Sequence, residues 1–434
     1  MAPSNSMPET MTAIRWHPPS FDIRVESVPV PKIEHPDDAI VKVTLAALCG
    51  SDLHVYRGHG GVDKVHTSGH EFIGEVVELG ASYGSHSPKG RPELYATLKV
   101  GDKVVSPFTV NCGECSVCRM GYTCRCPSGS LFGSVALEGG QAQYVRVPKA
   151  GGTLFNLSDP KSWHSTLSPD MKEKALSGIA DSSLLMLADI LPTGVFAAVQ
   201  ALNHPKVLPA LSGRPWPTSF FSGDVSATVL PEDRLLTFAI IGLGPVGLCA
   251  SVSLLDMLST QQLPFQIVAI DPVESRREKA MAVYKKIDQA GKGSGKFEAL
   301  SIDDAKNIVA TWTGGVGCTA VLEVVGNPSA ISLAYDLVRP FGAIVSVGVH
   351  GEPQMPFTGR QLYNKNVSFD FGRCPARAMF PMAFDLLVKR QDVFGEVGGL
   401  HSLVDRIVAP KEAPEIYEAF DQSKIGKAIF DMWK

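Results

Sequence analysis

Four cysteines at positions 112, 115, 118 and 126 stand in a C-x2-C-x2-C-x7-C spacing, and nothing else in the chain restricts its folding so strongly. Four thiolates this close in sequence form a closed tetrahedral cage for Zn²⁺. Gly113 and Gly121 lie between them and let the loop turn tightly around an ion. A cage with no open position does not catalyse; it staples a lobe, placed here at residues 108–127. Cys124 competes with Cys126 for the fourth place, and the longer gap selects Cys126.

Five of the nine cysteines fall within 112–126. That clustering and the odd total read as metal ligation in a reducing compartment, so a cytoplasmic protein is expected. The N-terminal MAPSNSMPETMTAIRW has neither a basic n-region nor an apolar h-region, so no secretory signal is expected. A net charge of −4 and a pI near 6.3 argue against a nucleic-acid or anionic-membrane partner. Leu235 to Leu255 is uncharged and long enough to span a bilayer, but Gly242, Gly244, Pro245 and Gly247 interrupt it. A buried strand, a tight turn and a buried helix account for it better.

A chain of 434 residues is long for one core, and its patterning changes along its length. The first part is β-rich, with strands expected at Ala39–Leu45, Phe72–Leu79 and Lys99–Ser106. Residues 81–98 are polar and turn-rich and read as an extended surface loop. Met171–Ile179 and Ser182–Leu187 have helical spacing, with an interruption expected at Pro192-Thr-Gly194. Residues 204–234 read as an inserted loop. Strands then alternate with helical segments at Leu236–Ile241, Gln266–Ile270, Ala320–Val325, Ala343–Val347 and Val367–Phe371. That rhythm predicts an α/β domain with a parallel sheet.

The first of these strands runs straight into Gly242-Leu-Gly244-Pro245-Val246-Gly247. Gly242 permits the sharp turn, Gly244 lets the backbone approach a pyrophosphate, and Gly247 lets helix and strand pack closely. A dinucleotide would rest its pyrophosphate on the helix N-terminus. The next strand ends in Asp271, whose carboxylate suits a ribose diol and repels a 2′-phosphate. NAD is therefore favoured over NADP, although Arg276 and Arg277 follow closely.

Upstream lie Cys49-Gly-Ser51-Asp52-Leu-His54 and Gly69-His70-Glu71. Cys49 and His70 are good zinc donors, and Asp52 and Glu71 suit the shell that orients them. A catalytic zinc needs a third ligand and an open position. Asp189 is the candidate, because a carboxylate within the apolar run 187–194 is costly unless paired or metal-bound. Thiolate, neutral imidazole and carboxylate would bring Zn²⁺ to zero net charge. His59 and His66 are nearby and read as loop residues.

Taken together, these motifs and the late Gly342-Ala-Ile-Val-Ser-Val-Gly348 resemble the zinc-dependent medium-chain alcohol dehydrogenases over nearly the whole chain. L-A-D-I-L-P-T-G (187–194) and G-R-C-P (372–375) resemble the formaldehyde dehydrogenase-like branch, in which an aspartate replaces a cysteine on the zinc. The resemblance implies a GroES-like β-rich catalytic domain at residues 1–192 and 373–434. It implies a doubly wound Rossmann domain at residues 193–372. It assigns Cys49, His70 and Asp189 to a catalytic zinc, with Glu71 able to ligate transiently. It makes Ser51 the hydroxyl that bonds the alcohol and His54 the distal proton relay. Thr193 and Val347 fall near the nicotinamide, and Lys424 and Arg373 toward the pyrophosphate. Residues 81–98 and 204–234 are longer than the family's loops.

The expected activity is hydride transfer between a small-molecule alcohol, polyol or aldehyde hydrate and NAD, with two zinc ions per chain. A homodimer or homotetramer is the expected assembly. Two alternatives differ in class: a carbonyl reductase using the same site in reverse, and a non-enzymatic cofactor-binding protein on the same scaffold. The second should lack metal ligands or relay residues, and Cys49, Ser51, His54, His70 and Asp189 are all present.

Overall fold

The computed structural model describes residues 7–84, 89–220, 228–288, 295–351 and 354–434. It divides into two compact units, Met1–Pro192 with Pro375–Lys434, and Thr193–Cys374.

The first unit is built on a seven-stranded sheet. Val404–Val408, Lys427–Asp431, Ala39–Ala47, Glu71–Leu79, Lys103–Ser106 and Phe155–Asn156 follow in that order, and Tyr144–Val147 also pairs with Ala39–Ala47. A strand from the end of the chain thus pairs with one from its start, Ile429 opposite Ala47. A smaller sheet joins Asp22–Pro29, Thr10–His17 and His66–Thr67. Trp16, Phe72, Phe132, Tyr417 and Phe430 fill the core between these elements, each almost fully buried. Burial on that scale is the main stabilising term for such a unit.

The second unit holds six parallel strands in the order Lys296–Leu300, Phe265–Ile270, Leu236–Ile241, Cys318–Glu323, Val338–Ser346 and Ser368–Phe371. In chain order this is 3-2-1-4-5-6, the doubly wound nucleotide-binding arrangement, whose switch point lies between Leu236–Ile241 and Cys318–Glu323. Both of those strands are buried at every residue, as a sheet covered on two faces requires.

Several sequence expectations are corrected. The strand expected from Lys99 begins only at Lys103, because Gly101 and Asp102 form a turn in which the Asp102 carboxylate accepts the Lys99 N–H at 2.8 Å. Pro192 does not interrupt a helix: Ile190–Leu202 runs through it. Pro192 sits in the first turn, where its missing N–H has no intrahelical acceptor to lose. The described residues of 81–98 are mostly turns, as expected, but they are tied down more firmly than a surface loop. Leu94–Thr97 is helical, Leu94 and Tyr95 are buried, and Tyr83 donates to Asp37 O at 2.8 Å. The Arg91 guanidinium covers the Tyr95 ring at 3.8 Å. Within 204–234, Leu208–Ser212 is helical, and Arg234 donates to Ala210 O and Leu211 O at 3.0 and 2.9 Å. Residues 85–88 and 221–227 of these two segments lie outside the described residues. His66 is not a loop residue: it pairs with Trp16 in the small sheet and is buried. Among the described residues no single helix is long and apolar enough to cross a membrane.

Candidate active site

Strand register assembles the first cluster. Ala47 pairs with Glu71 across the antiparallel strands Ala39–Ala47 and Glu71–Leu79. Cys49, two residues past one strand, and His70, one residue before the other, therefore emerge at the same sheet edge. Asp189 arrives from the break between the 3₁₀ turn Leu185–Ala188 and the helix Ile190–Leu202, with φ −149° and ψ −68°. Donor atoms of Cys49, His70, Glu71 and Asp189 all lie within 4.8 Å of one another, and all four residues are buried. Cys49 Sγ is 3.4 Å from Asp189 Oδ2, and His70 Nε2 is 3.2 Å from the same oxygen. Zinc bonds of about 2.0–2.3 Å at tetrahedral angles put ligand atoms about 3.3–3.8 Å apart, so this donor set fits the ion.

Neighbouring groups orient these donors. His70 Nδ1 lies 3.2 Å from Asp52 Oδ1, while Asp52 Oδ2 accepts the Cys49 N–H at 3.0 Å. With Nδ1–H directed to Asp52, His70 turns the lone pair of Nε2 toward the cluster. Ser51 Oγ stands 3.2 Å from that same nitrogen. Lys427 Nζ donates to Leu48 O at 3.0 Å and to Glu71 Oε1 at 2.5 Å, leaving Glu71 Oε2 buried without a hydrogen-bond partner. An orphaned, buried carboxylate oxygen on a member of such a donor cluster is what a cation-binding site provides. Burial pushes the Cys49 thiol and the Glu71 carboxyl up from their ordinary values; Asp189 adds to both, and Lys427 opposes the shift at Glu71. Burial also works against a charged His70, but the Asp52 and Asp189 carboxylates outweigh it and hold His70 well above the ordinary histidine range. His54 lies one helical turn after Ser51, half-buried, with its pKa lowered by burial and then by His59 and Arg57.

The second cluster holds Cys112, Cys115, Cys118 and Cys126; Cys124 is not among its members. Cys126 Sγ is 3.6 Å from Cys112 Sγ, and Cys112 Sγ is 4.0 Å from Cys118 Sγ. A Zn–S bond of about 2.3 Å gives a tetrahedral S···S edge of about 3.8 Å, so the cage fits zinc. Backbone N–H groups of residues 112, 115 and 118 point at the sulfurs of Cys126, Cys112 and Cys115 at 3.3–3.4 Å. The N–H of Cys118 is the main reason that the Cys115 thiol falls to about 7.

In the second unit the glycine turn opens the helix Pro245–Thr260, with Gly244 at the N-cap and Pro245 at the first position. Gly242 has φ +94°, and a Cβ on Gly247 would lie 1.8 Å from Gly242 O. Around Gly244 a Cβ would meet nothing within 4 Å, which leaves its backbone open to a ligand. Asp271 Oδ2 accepts the Leu243 N–H of this turn at 2.8 Å and faces Arg276 Nη1 at 3.5 Å. Arg277 instead donates to Asp271 O and Pro272 O at 2.9 and 2.8 Å.

The remaining expected residues are scattered. Thr193 is buried near the start of its helix, and Val347 is half-buried, its N–H donating to Glu323 O at 3.0 Å. Arg373 and Lys424 are exposed. His59 is exposed, and neither it nor His66 belongs to a donor cluster. Sequence reasoning missed Lys427, three residues after Lys424. The signal was available: a cation leading the apolar run Ala428-Ile-Phe430 is as conspicuous as Asp189 in its own apolar run. It also missed Glu323 and His350, whose meeting depends on sheet register.

Two family models match the chain. One, described as an alcohol dehydrogenase GroES-like domain, covers residues 35–159; the other, described as a zinc-binding dehydrogenase, covers residues 245–389. The chain is similar to zinc-type alcohol dehydrogenase B of Aspergillus flavus, at 36% identity over 420 residues, 97% of this chain and 81% of that protein. It is 29% identical over 444 residues to formaldehyde dismutase of Pseudomonas putida, covering 94% of this chain and 95% of that one. Among solved structures, alcohol dehydrogenase TADH from Thermus sp. ATN1 superposes with a TM-score of 0.70 at 27% identity, covering 97% of this chain and 99% of its own.

Proposed function

The chain belongs to the zinc-dependent medium-chain alcohol dehydrogenase family, and from that premise we propose that it moves a hydride between an alcohol and NAD at a zinc held by Cys49, His70 and Asp189. One observation carries the assignment: a thiol, an imidazole and two carboxylates converge within 4.8 Å in a buried site, although 140 residues separate Cys49 from Asp189. Such a set is costly to bury without a cation. When bound, zinc supplies a Lewis acid for the substrate oxygen, and the nicotinamide supplies the hydride acceptor or donor.

The chain's own residues do the rest. Asp52 fixes the tautomer of His70 and tethers the Cys49 backbone, so two of the three ligands share one support. Ser51 Oγ, beside His70 Nε2, takes the proton that the substrate hydroxyl loses. His54, one turn along the same helix, passes it toward solvent; its lowered pKa keeps the ring neutral and able to accept. Glu71 keeps one oxygen on Lys427 and offers the other to the metal site. The tetracysteine cage holds a second, structural zinc. In the second unit the glycine turn and the N-terminus of Pro245–Thr260 take the pyrophosphate, and Asp271 selects NAD. The similarity to formaldehyde dismutase supports trying small aldehyde hydrates as substrates, and the working form in this reading is a homodimer or homotetramer.

Metal analysis combined with NADH formation on alcohols, polyols and formaldehyde tests this reading. It expects two zinc ions per chain and turnover with NAD. A chain that is folded and zinc-replete but inert with every alcohol and carbonyl, in both directions and with both cofactors, refutes it.

A further inference from the structure

Three loops leave the carboxyl ends of the strands beside the switch point, and they interlock. Gly348 approaches Gly326 so closely that a Cβ on it would lie 2.2 Å from Gly326 N. A Cβ on Gly326, at φ +83°, would in turn meet Val349 N and O at 2.5 Å. Gly242, in the loop after Leu236–Ile241, packs on Val325 with the same tightness, its Cβ position 2.6 Å from Val325 Cγ2. The loop after Val338–Ser346 is thus seated on the loop after Cys318–Glu323, which is seated on the glycine turn.

A polar chain pins the outermost loop. Glu323 and Ser346 are register partners at the ends of their parallel strands, and both are fully buried. Glu323 Oε1 accepts the N–H groups of Val325 and Gly326 at 2.8 and 2.7 Å. Ser346 Oγ donates to Glu323 Oε2 at 2.6 Å, and His350 Nε2 lies 2.7 Å from Ser346 Oγ and 3.2 Å from Glu323 Oε2. Because the Ser346 proton goes to the carboxylate, its oxygen accepts, and His350 carries its proton on Nε2. The Phe371 ring, at the end of the next strand, stands 4.9 Å from the imidazole. Four donors on one carboxylate satisfy a buried charge that would otherwise be costly.

We propose that His350 is a positioning residue that holds the loop 347–350 for the nicotinamide half of the dinucleotide. The inference rests on the NAD-dependent reading above. A dinucleotide in a doubly wound sheet straddles the switch point at the carboxyl ends of the strands. The Asp271 side, beyond the glycine turn, takes the adenosine half. The other half then lies over the ends of Cys318–Glu323 and Val338–Ser346, where Glu323, Ser346 and His350 meet. Losing the His350 tether frees that loop and leaves the adenosine side untouched.

Calorimetric titration of the full-length, zinc-loaded protein with NADH and with ADP-ribose, which lacks the nicotinamide ring, tests this. His350→Leu is expected to weaken NADH binding about tenfold. ADP-ribose affinity should stay within about twofold, and His350→Gln, which keeps a donor for Ser346, should restore most of the loss. The same split should appear as a raised KM for NAD. Equal loss for both ligands, or no loss for either, overturns the proposal. Should His350→Leu not fold, Ser346→Ala removes the nearer of the two oxygens that hold His350 and must give a smaller loss that again falls on NADH and spares ADP-ribose. If the unmodified protein binds neither ligand, the dinucleotide reading itself fails, and this inference with it.

Discussion

Lys427 Nζ lies 2.5 Å from Glu71 Oε1, with both side chains shut away from solvent, and the second Glu71 oxygen is buried without a hydrogen-bond partner in a residue that shares a donor cluster with Cys49, His70 and Asp189. The ammonium thus stabilises one end of the carboxylate, and the other end remains available to a cation. Removing only the cation strands a buried charge, so Lys427→Met should destabilise the protein by about 3–5 kcal/mol. Pairing it with Glu71→Gln should return most of that loss, because no uncompensated charge is then left. Denaturant unfolding of the two single variants and the double variant measures the coupling. Simple additivity would show that the pair contributes little.

Asp52 touches both His70 Nδ1 and the Cys49 backbone, and its own oxygens are not among the clustered metal donors. Asp52→Asn keeps the shape but removes the charge that fixes the imidazole. It should cost about 10–100-fold in affinity for one of the two zincs and leave the other unaffected. Competition with a chelator of known affinity measures this. Loss of both metals together would mean that the substitution had unfolded the unit.

What could be read in advance, and what could not, follows from the range of each signal. The tetracysteine cage is local: its spacing alone brings Cys112 and Cys126 together, whatever the rest of the chain does. Asp189 was legible because a carboxylate in an apolar run must be engaged by something. The same reasoning applied to Lys427, but the pyrophosphate assignment fell on Lys424, which is exposed. Separating them requires knowing that Lys427 starts a strand lying beside Ala39–Ala47, so that its side chain turns inward. Glu323 and His350, 27 residues apart, meet only because Glu323 and Ser346 are register partners, and register between parallel strands is not written in either strand alone. The helix through Pro192 was misjudged because a proline's cost depends on its distance from the helix start.

Cys126 stands 3.6 Å from Cys112, and Cys124, two residues earlier, is outside the cage. Cys126→Ala should therefore lose one zinc per chain and lower the melting temperature, whereas Cys124→Ala should keep both. A structural zinc contributes on the order of 10 kcal/mol to folding a small site, so the Cys126 variant is expected to lose the lobe's structure. Metal content and thermal melts of the two variants decide the question. Equal effects would remove the distinction between the two thiols.

His54 sits below the ordinary histidine value of 6.5, because burial disfavours its charged form and His59 and Arg57 add like charge. As a proton acceptor it must be neutral, so turnover should fall on the acid side with a limb below 6.5. His59→Ala removes one source of positive charge; the His54 pKa should rise, and the limb should move to higher pH. His54→Gln should flatten that limb and slow turnover by about tenfold or more. Profiles of kcat against pH for the three proteins test the sign as well as the size, and a limb that ignores both substitutions would take His54 out of the proton path.

Asp271 serves three partners at once, which makes its substitution informative. Its carboxylate accepts the Leu243 N–H of the glycine turn at 2.8 Å on one oxygen and the Val273 N–H at 2.9 Å on the other, and it faces Arg276 at 3.5 Å. Asp271→Ser keeps a hydroxyl that can still accept from Leu243 but removes the charge that repels a 2′-phosphate. The ratio of kcat/KM for NAD to that for NADP should fall by about tenfold or more, which corresponds to about 1.4 kcal/mol or more of discrimination. Because Leu243 keeps an acceptor and only the N–H of half-buried Val273 loses one, the loss should fall mainly on cofactor choice, with a small drop in melting temperature. Asp271→Ala, which removes both functions, should lower the melting temperature as well. An unaltered cofactor ratio in both variants would show that the carboxylate holds the turn and does not choose the cofactor.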